Sequence, residues 1–103
     1  MRALIVDRGP RFQTPPEHLL ALWDEFAQWR NRWREKMESF QFFVAGWGGF
    51  AVVDVTDETE LQKMILEYPF SSFSELDVRP IMDGDEALKL WRATLQQRED
   101  MFG

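Results

Sequence analysis

Apolar and polar side chains alternate most regularly in two short stretches, FAVVDV at residues 50–55 and FSELDV at residues 73–78. A period of two sends successive side chains to opposite faces of a strand. Val53 and Val55, with Leu76 and Val78, are therefore expected against helices. Phe50, Val52 and Asp54, with Glu75, Asp77 and Arg79, are expected on the opposite face. Between the two strands, Asp57-x-x-Glu60 has the spacing of a capping box, and Leu61, Met64, Ile65 and Tyr68 follow at three- and four-residue intervals until Pro69 stops the helix.

The same reading extends upstream and downstream. Residues 3–6 form a short apolar run bounded by Asp7-Arg8-Gly9-Pro10, as in a strand buried on both faces. Thr14-x-x-Glu17, with Pro15 at the first helical position, opens a helix in which Leu19, Trp23, Phe26, Arg30, Trp33 and Met37 recur at helical spacing, with Leu22 and Trp29 widening the stripe. Residues 39–45 predict a second strand, joined by Gly46-Trp47-Gly48-Gly49 to the third as a hairpin; no helix follows these glycines, which argues against a phosphate-binding loop. Asp83-x-x-Glu86 opens a last helix with Ala87, Leu88, Trp91, Leu95 and Phe102 on its apolar side.

The order of elements is β-α-β-β-α-β plus a C-terminal helix, an α+β chain of the ferredoxin-like class with a four-stranded antiparallel sheet. The first and third strands are expected as parallel central neighbours, flanked by the second and fourth, with the first two helices on one face. Phe50, Val52, Phe43 and Phe73 on the other face would expose a larger apolar patch than a soluble monomer tolerates. A homodimer or higher assembly, with two sheets closing a shared barrel, would remove it. One hundred and three residues, 45% of them hydrophobic, suffice for a single domain over residues 1–103.

Charge and composition narrow the function. Twelve basic against eighteen acidic residues leave a net charge of −6, which opposes binding to nucleic acid or to anionic membrane surfaces. The chain has no cysteine, which removes disulfides, a thiol nucleophile and thiolate metal ligands and is compatible with a reducing cytoplasm. The apolar run near the N-terminus is too short for a signal sequence or a membrane span. A single histidine and scattered carboxylates give no metal-ligand set, and no cofactor motif is present.

Across residues 43–83, the strand FAVVDV, a helix of about ten residues, the Tyr68-Pro69 step, the Ser72-Phe73 pair and a strand carrying Asp77-Val78 resemble the second half of muconolactone isomerase-like proteins. The resemblance implies the dimeric α+β barrel superfamily. It also implies a cofactor-free isomerisation or proton transfer on a small apolar, carboxylate-bearing molecule held between sheet and helix. In the first half only the order of elements matches, and the WxxxxxWxxxW run of the first helix departs from the isomerase pattern.

If the first and third strands run parallel, Asp7, Asp54 and Glu75 meet at one rim, with Arg8, Arg11 and His18 at the same end. Carboxylates crowded round an apolar cavity can raise one another's proton affinity and so act as acid or base. Asp54, Glu75, Asp7 and His18 are the catalytic candidates. Arg79 is the candidate clamp for a substrate carboxylate, with Asp77, Trp47 and Phe50 as further binding residues. Each has a plain alternative: aspartates at strand ends serve as turn or cap residues, a charged stripe on an edge strand discourages aggregation, and a histidine in a first helical turn faces solvent. The competing function is a non-catalytic ligand-sensing or interaction module whose barrel serves only to hold a dimer together. A role as accessory to a larger enzyme would rest on the acidic exterior and the tryptophan-rich helix alone.

Overall fold

A computed structural model describes residues 1–10 and 16–102. Its elements are β1 (Arg2–Pro10), α1 (Pro16–Trp33), a 3-10 turn (Arg34–Lys36), β2 (Met37–Phe42), β3 (Gly49–Asp54), α2 (Glu58–Glu67), β4 (Ser74–Ile81) and α3 (Gly84–Phe102). The sheet order is β2-β3-β1-β4, and all three pairings are antiparallel. This is the expected ferredoxin-like βαββαβ arrangement with one added helix.

The direction of β3 corrects the sequence reading. A helical crossover leaves β2 parallel to β1, and the tight hairpin then reverses the chain, so β3 runs antiparallel to β1: Arg2 faces Asp54 and Asp7 faces Gly49. Asp7 and Asp54 consequently lie at opposite ends of the sheet, five residues or about 17 Å apart along the strand. The rim at which Asp7, Asp54 and Glu75 were to meet does not form.

Two boundaries also move. Met37, which continued the helical stripe by spacing, begins β2, because the chain leaves α1 through the 3-10 turn at Arg34–Lys36. β2 ends at Phe42, and Phe43 N–H donates to the Gly48 carbonyl at 3.0 Å to close the hairpin. The Thr14 cap and Arg11 lie outside the described residues. The second cap forms as expected: Asp57 Oδ1 accepts the Glu60 N–H at 2.9 Å, while Glu60 Oε1 accepts the N–H of Thr56 at 3.0 Å.

The two sheet faces separate as the alternation requires. Ala3 and Ile5 of β1 and Ala51 and Val53 of β3, followed by Val55, form a buried floor; Phe26, Trp29 and Trp33 of α1, Leu61 and Met64 of α2, and Tyr68 pack over it. Alanine at both Ala3 and Ala51 leaves room above the central strands for three large α1 aromatics. The opposite face carries Leu4, Val6, Phe50, Val52 and Ile81, all partly exposed, among Arg2, Asp54, Glu75, Asp77 and Arg79.

α3 does not cover that open face. None of its residues is buried, and the molecule measures 66 × 26 × 23 Å because this helix extends away from the body. Among the described residues no helix is long and apolar enough to cross a membrane.

Candidate functional site

Between the floor of the sheet, α1 and the turn after α2 lies an open cavity of about 810 Å³. Its walls are mainly aromatic. The three- and four-residue spacing of α1 turns Trp23, Phe26 and Trp29 toward the sheet, where they meet Phe40 and Phe42 of β2 and Phe70 beyond α2. Trp23 meets Phe26 and Phe70 edge-on at centroid distances of 5.4 and 5.2 Å, an arrangement that aligns ring edges with ring faces. Trp29 is fixed from behind, its indole N–H donating to the buried Met64 carbonyl at 2.9 Å. Phe43, Trp47 and Phe50 line the hairpin end.

Asp7 and Tyr68 stand on the polar part of the wall, with Gln41 and the buried Ser74. β1 runs beyond its apolar core to Pro10, which places Asp7 on the cavity face opposite Gly49. The Asp7 Oδ1 atom accepts the Gly9 N–H at 2.8 Å, and Oδ2 accepts the Tyr68 hydroxyl, so both oxygens are held while each keeps a lone pair free. Tyr68 ends α2: its N–H donates to the Ile65 carbonyl at 3.1 Å, Pro69 prevents further helix, and its ring packs 4.8 Å from that of Trp29. Glycines let the hairpin approach this pair. Gly48 has φ +99°, and a Cβ there would lie 2.0 Å from the Asp7 carbonyl oxygen.

Burial, and then the adjacent Asp7 carboxylate, push the Tyr68 hydroxyl well above the ordinary tyrosine value of 10. Tyr68 accordingly stays protonated and serves as a hydrogen-bond donor, not as a base. A raised value in the folded protein means that its contribution to stability is complete below pH 10 and is lost as pH climbs past that value. Tyr68 is the only tyrosine. Phenolate absorbance in an alkaline titration is therefore expected to stay flat through pH 10 and to rise only with unfolding; a reversible step near pH 10 in the folded protein would contradict the buried pair.

The residues singled out from the sequence distribute unevenly. Asp7 and Trp47 come together at the cavity, whose hairpin rim Phe50 reaches from the open face. Asp54 is exposed at the far end of β3, and Glu75 is exposed on β4 beside the Asp7 end but on the opposite face. His18 is exposed in the first turn of α1. Asp77 and Arg79 pair on the open face: Arg79 Nε lies 3.1 Å from Asp77, which also receives Arg8 at 3.0 Å. Arg79 first, and then Arg8, hold the Asp77 carboxyl below its usual value. Phe73, counted with the open face, lines the cavity instead. By its spacing alone Tyr68 belongs only to the α2 stripe. Its being the sole tyrosine, at a helix end before proline, was the signal available.

No curated protein matches the chain. Among solved structures, the chain is similar to 5-chloro-2-hydroxyhydroquinone dehydrochlorinase (TftG) from Burkholderia phenoliruptrix AC1100, in complex with 2,5-dihydroxybenzoquinone. The match has a TM-score of 0.58 at 17% identity, over 84% of this chain and 98% of that one. At this identity the likeness is one of fold, the ferredoxin-like βαββαβ arrangement described above. A family model matches residues 11–95, and the chain belongs to that family, described as a domain of unknown function, DUF3303.

Proposed function

We propose that the cavity binds a small, largely apolar ring or lactone, and that Asp7 and Tyr68 transfer a proton on it without a cofactor, an isomerisation of the kind the muconolactone isomerase resemblance implies. The observation that carries this reading is the carboxylate–phenol pair set in the wall of an aromatic cavity of about 810 Å³. A free Asp7 lone pair takes a proton from carbon next to a carbonyl; as the carboxylate is neutralised, the Tyr68 hydroxyl turns its one proton from Asp7 Oδ2 to the oxygen that gains charge, and Asp7 returns the carbon's proton to another atom of the same molecule. The C–H bond broken is replaced by one formed within the substrate, so no further reactant is needed.

The ligand crystallised with TftG is a hydroxylated quinoid ring, which supports a planar, oxygen-bearing ligand here. No described residue lining the cavity is Lys, Arg or His. A carboxylate on the ligand would have to reach Arg79 on the open face, where the guanidinium is already held by Asp77. The proposal includes a homodimer, formed by closing the open faces of two copies over Leu4, Val6, Phe50 and Val52, and a cytoplasmic setting suited to a chain without cysteine.

The test uses small lactones and hydroxylated aromatic rings. Tryptophan emission should be quenched saturably as a ring stacks near Trp23 and Trp29, and bound ligand should exchange its carbon-bound hydrogen for deuterium in D2O. Asp7→Asn is expected to keep binding and lose exchange. Binding without exchange in the unaltered protein would establish the sensing module instead, and no saturable binding by any member of the panel would sink both.

A further inference from the structure

The helix α3 is amphipathic and has no residue buried against its own chain. Leu88, Trp91, Leu95 and Phe102 recur at intervals of three, four and seven, which puts them on one stripe, and they are 70, 69, 56 and 82% exposed. In proteins most helical stability comes from burying such a stripe rather than from propensity. With aromatic side chains covering 150–250 Å² each, the stripe offers on the order of 500 Å² of surface for burial.

The same chain leaves a second apolar surface unpartnered, the open sheet face, and α3 departs from β4 at its edge: Ile81, the last β4 residue, lies beside Arg2 on that face. A two-fold pair of chains can satisfy both surfaces at once, because each copy offers one helix and receives one. The stripe together with the open face approaches the roughly 800 Å² per partner typical of a stable interface. Charge does not oppose it: α3 carries four acidic and three basic residues, so most of the net −6 resides elsewhere.

We propose that α3 is an exchanged arm that packs on the body of a second copy of this chain, its Leu88–Trp91–Leu95–Phe102 stripe continuing the interface made by the open sheet faces. This rests on the dimer included in the proposed function. The arm makes the assembly interlocked: its dissociation requires peeling two helices as well as separating two sheets.

Sedimentation equilibrium across nanomolar to millimolar concentration tests it, with three variants beside the unaltered protein. Trp91→Glu/Leu95→Glu is expected to weaken dimerisation at least roughly a hundredfold, because two large apolar contacts are lost in each of two arms. Val52→Glu on the open face is expected to weaken it as well, and Gln97→Glu, off the stripe, to leave it unchanged. Far-ultraviolet circular dichroism of the arm variant should keep the signal of the βαββαβ body, since neither side chain is buried within its own chain. A dimer indifferent to Trp91→Glu/Leu95→Glu but broken by Val52→Glu would overturn the exchanged arm and leave the sheet dimer standing. A parent that stays monomeric throughout would overturn both.

Discussion

Tyr68→Phe is expected to cut the rate of proton exchange on a bound ligand by roughly 10²–10³-fold, the usual contribution of one hydrogen-bond donor to a developing oxyanion. The substitution removes one oxygen and keeps the ring, so the packing against Trp29 and Phe26, at centroid distances of 4.8 and 5.7 Å, should persist. Ligand affinity should therefore change by less than about tenfold, equivalent to about 1.4 kcal/mol. Asp7 would lose one of its two protein donors and retain the Gly9 N–H, which predicts a stability loss of about 1–3 kcal/mol for a partly buried acceptor left short of a partner. Deuterium exchange followed by nuclear magnetic resonance reads the first effect and urea unfolding the second. Unaltered exchange in a folded Tyr68→Phe protein would remove Tyr68 from the chemistry and leave it as packing.

Gly48→Ala should produce the largest loss of stability. At φ +99° an L side chain is strained by about 1–2 kcal/mol. The new Cβ would also stand 2.0 Å from the Asp7 carbonyl oxygen and 3.0 Å from its carbon, backbone atoms that cannot swing aside as a flexible side chain would. A total of about 3 kcal/mol or more is expected, in the range reserved for core or backbone disruption. Gly46 is the internal control. Its φ is +84°, but nothing lies within 4 Å of its would-be Cβ, so Gly46→Ala should show the conformational cost alone, about 1–2 kcal/mol. Equal losses at the two positions, measured as urea midpoints, would disprove the close-approach account. Because Gly48 leans on the Asp7 backbone, its substitution should also impair exchange, whereas Gly46→Ala should not.

Much of the fold was legible because local chemistry specifies it. The alternation in FAVVDV set the faces of Val53 and Val55 against those of Phe50 and Val52, and Asp57 with Glu60 marked the start of α2, as the hydrogen bonds bear out. The site was less legible, because period-two patterning carries no information about strand direction. Antiparallel pairing of β1 and β3 moved Asp54 to the end away from Asp7 and dissolved the expected carboxylate cluster. The Asp7–Tyr68 pair joins residues 61 positions apart, and nothing local to either announces the other. Met37 continued the α1 stripe by spacing alone, and only the 3-10 turn before it reveals that the chain has already left the helix. The α3 stripe was plain in the sequence, and nothing in its own chain buries it.

The cavity is walled by one chain's sheet, helices and hairpin. Its occupancy should therefore follow a simple stoichiometry of one ligand per polypeptide, with a hyperbolic isotherm and a Hill coefficient of one. Dilution that separates the proposed pair should leave the intrinsic affinity of each site untouched.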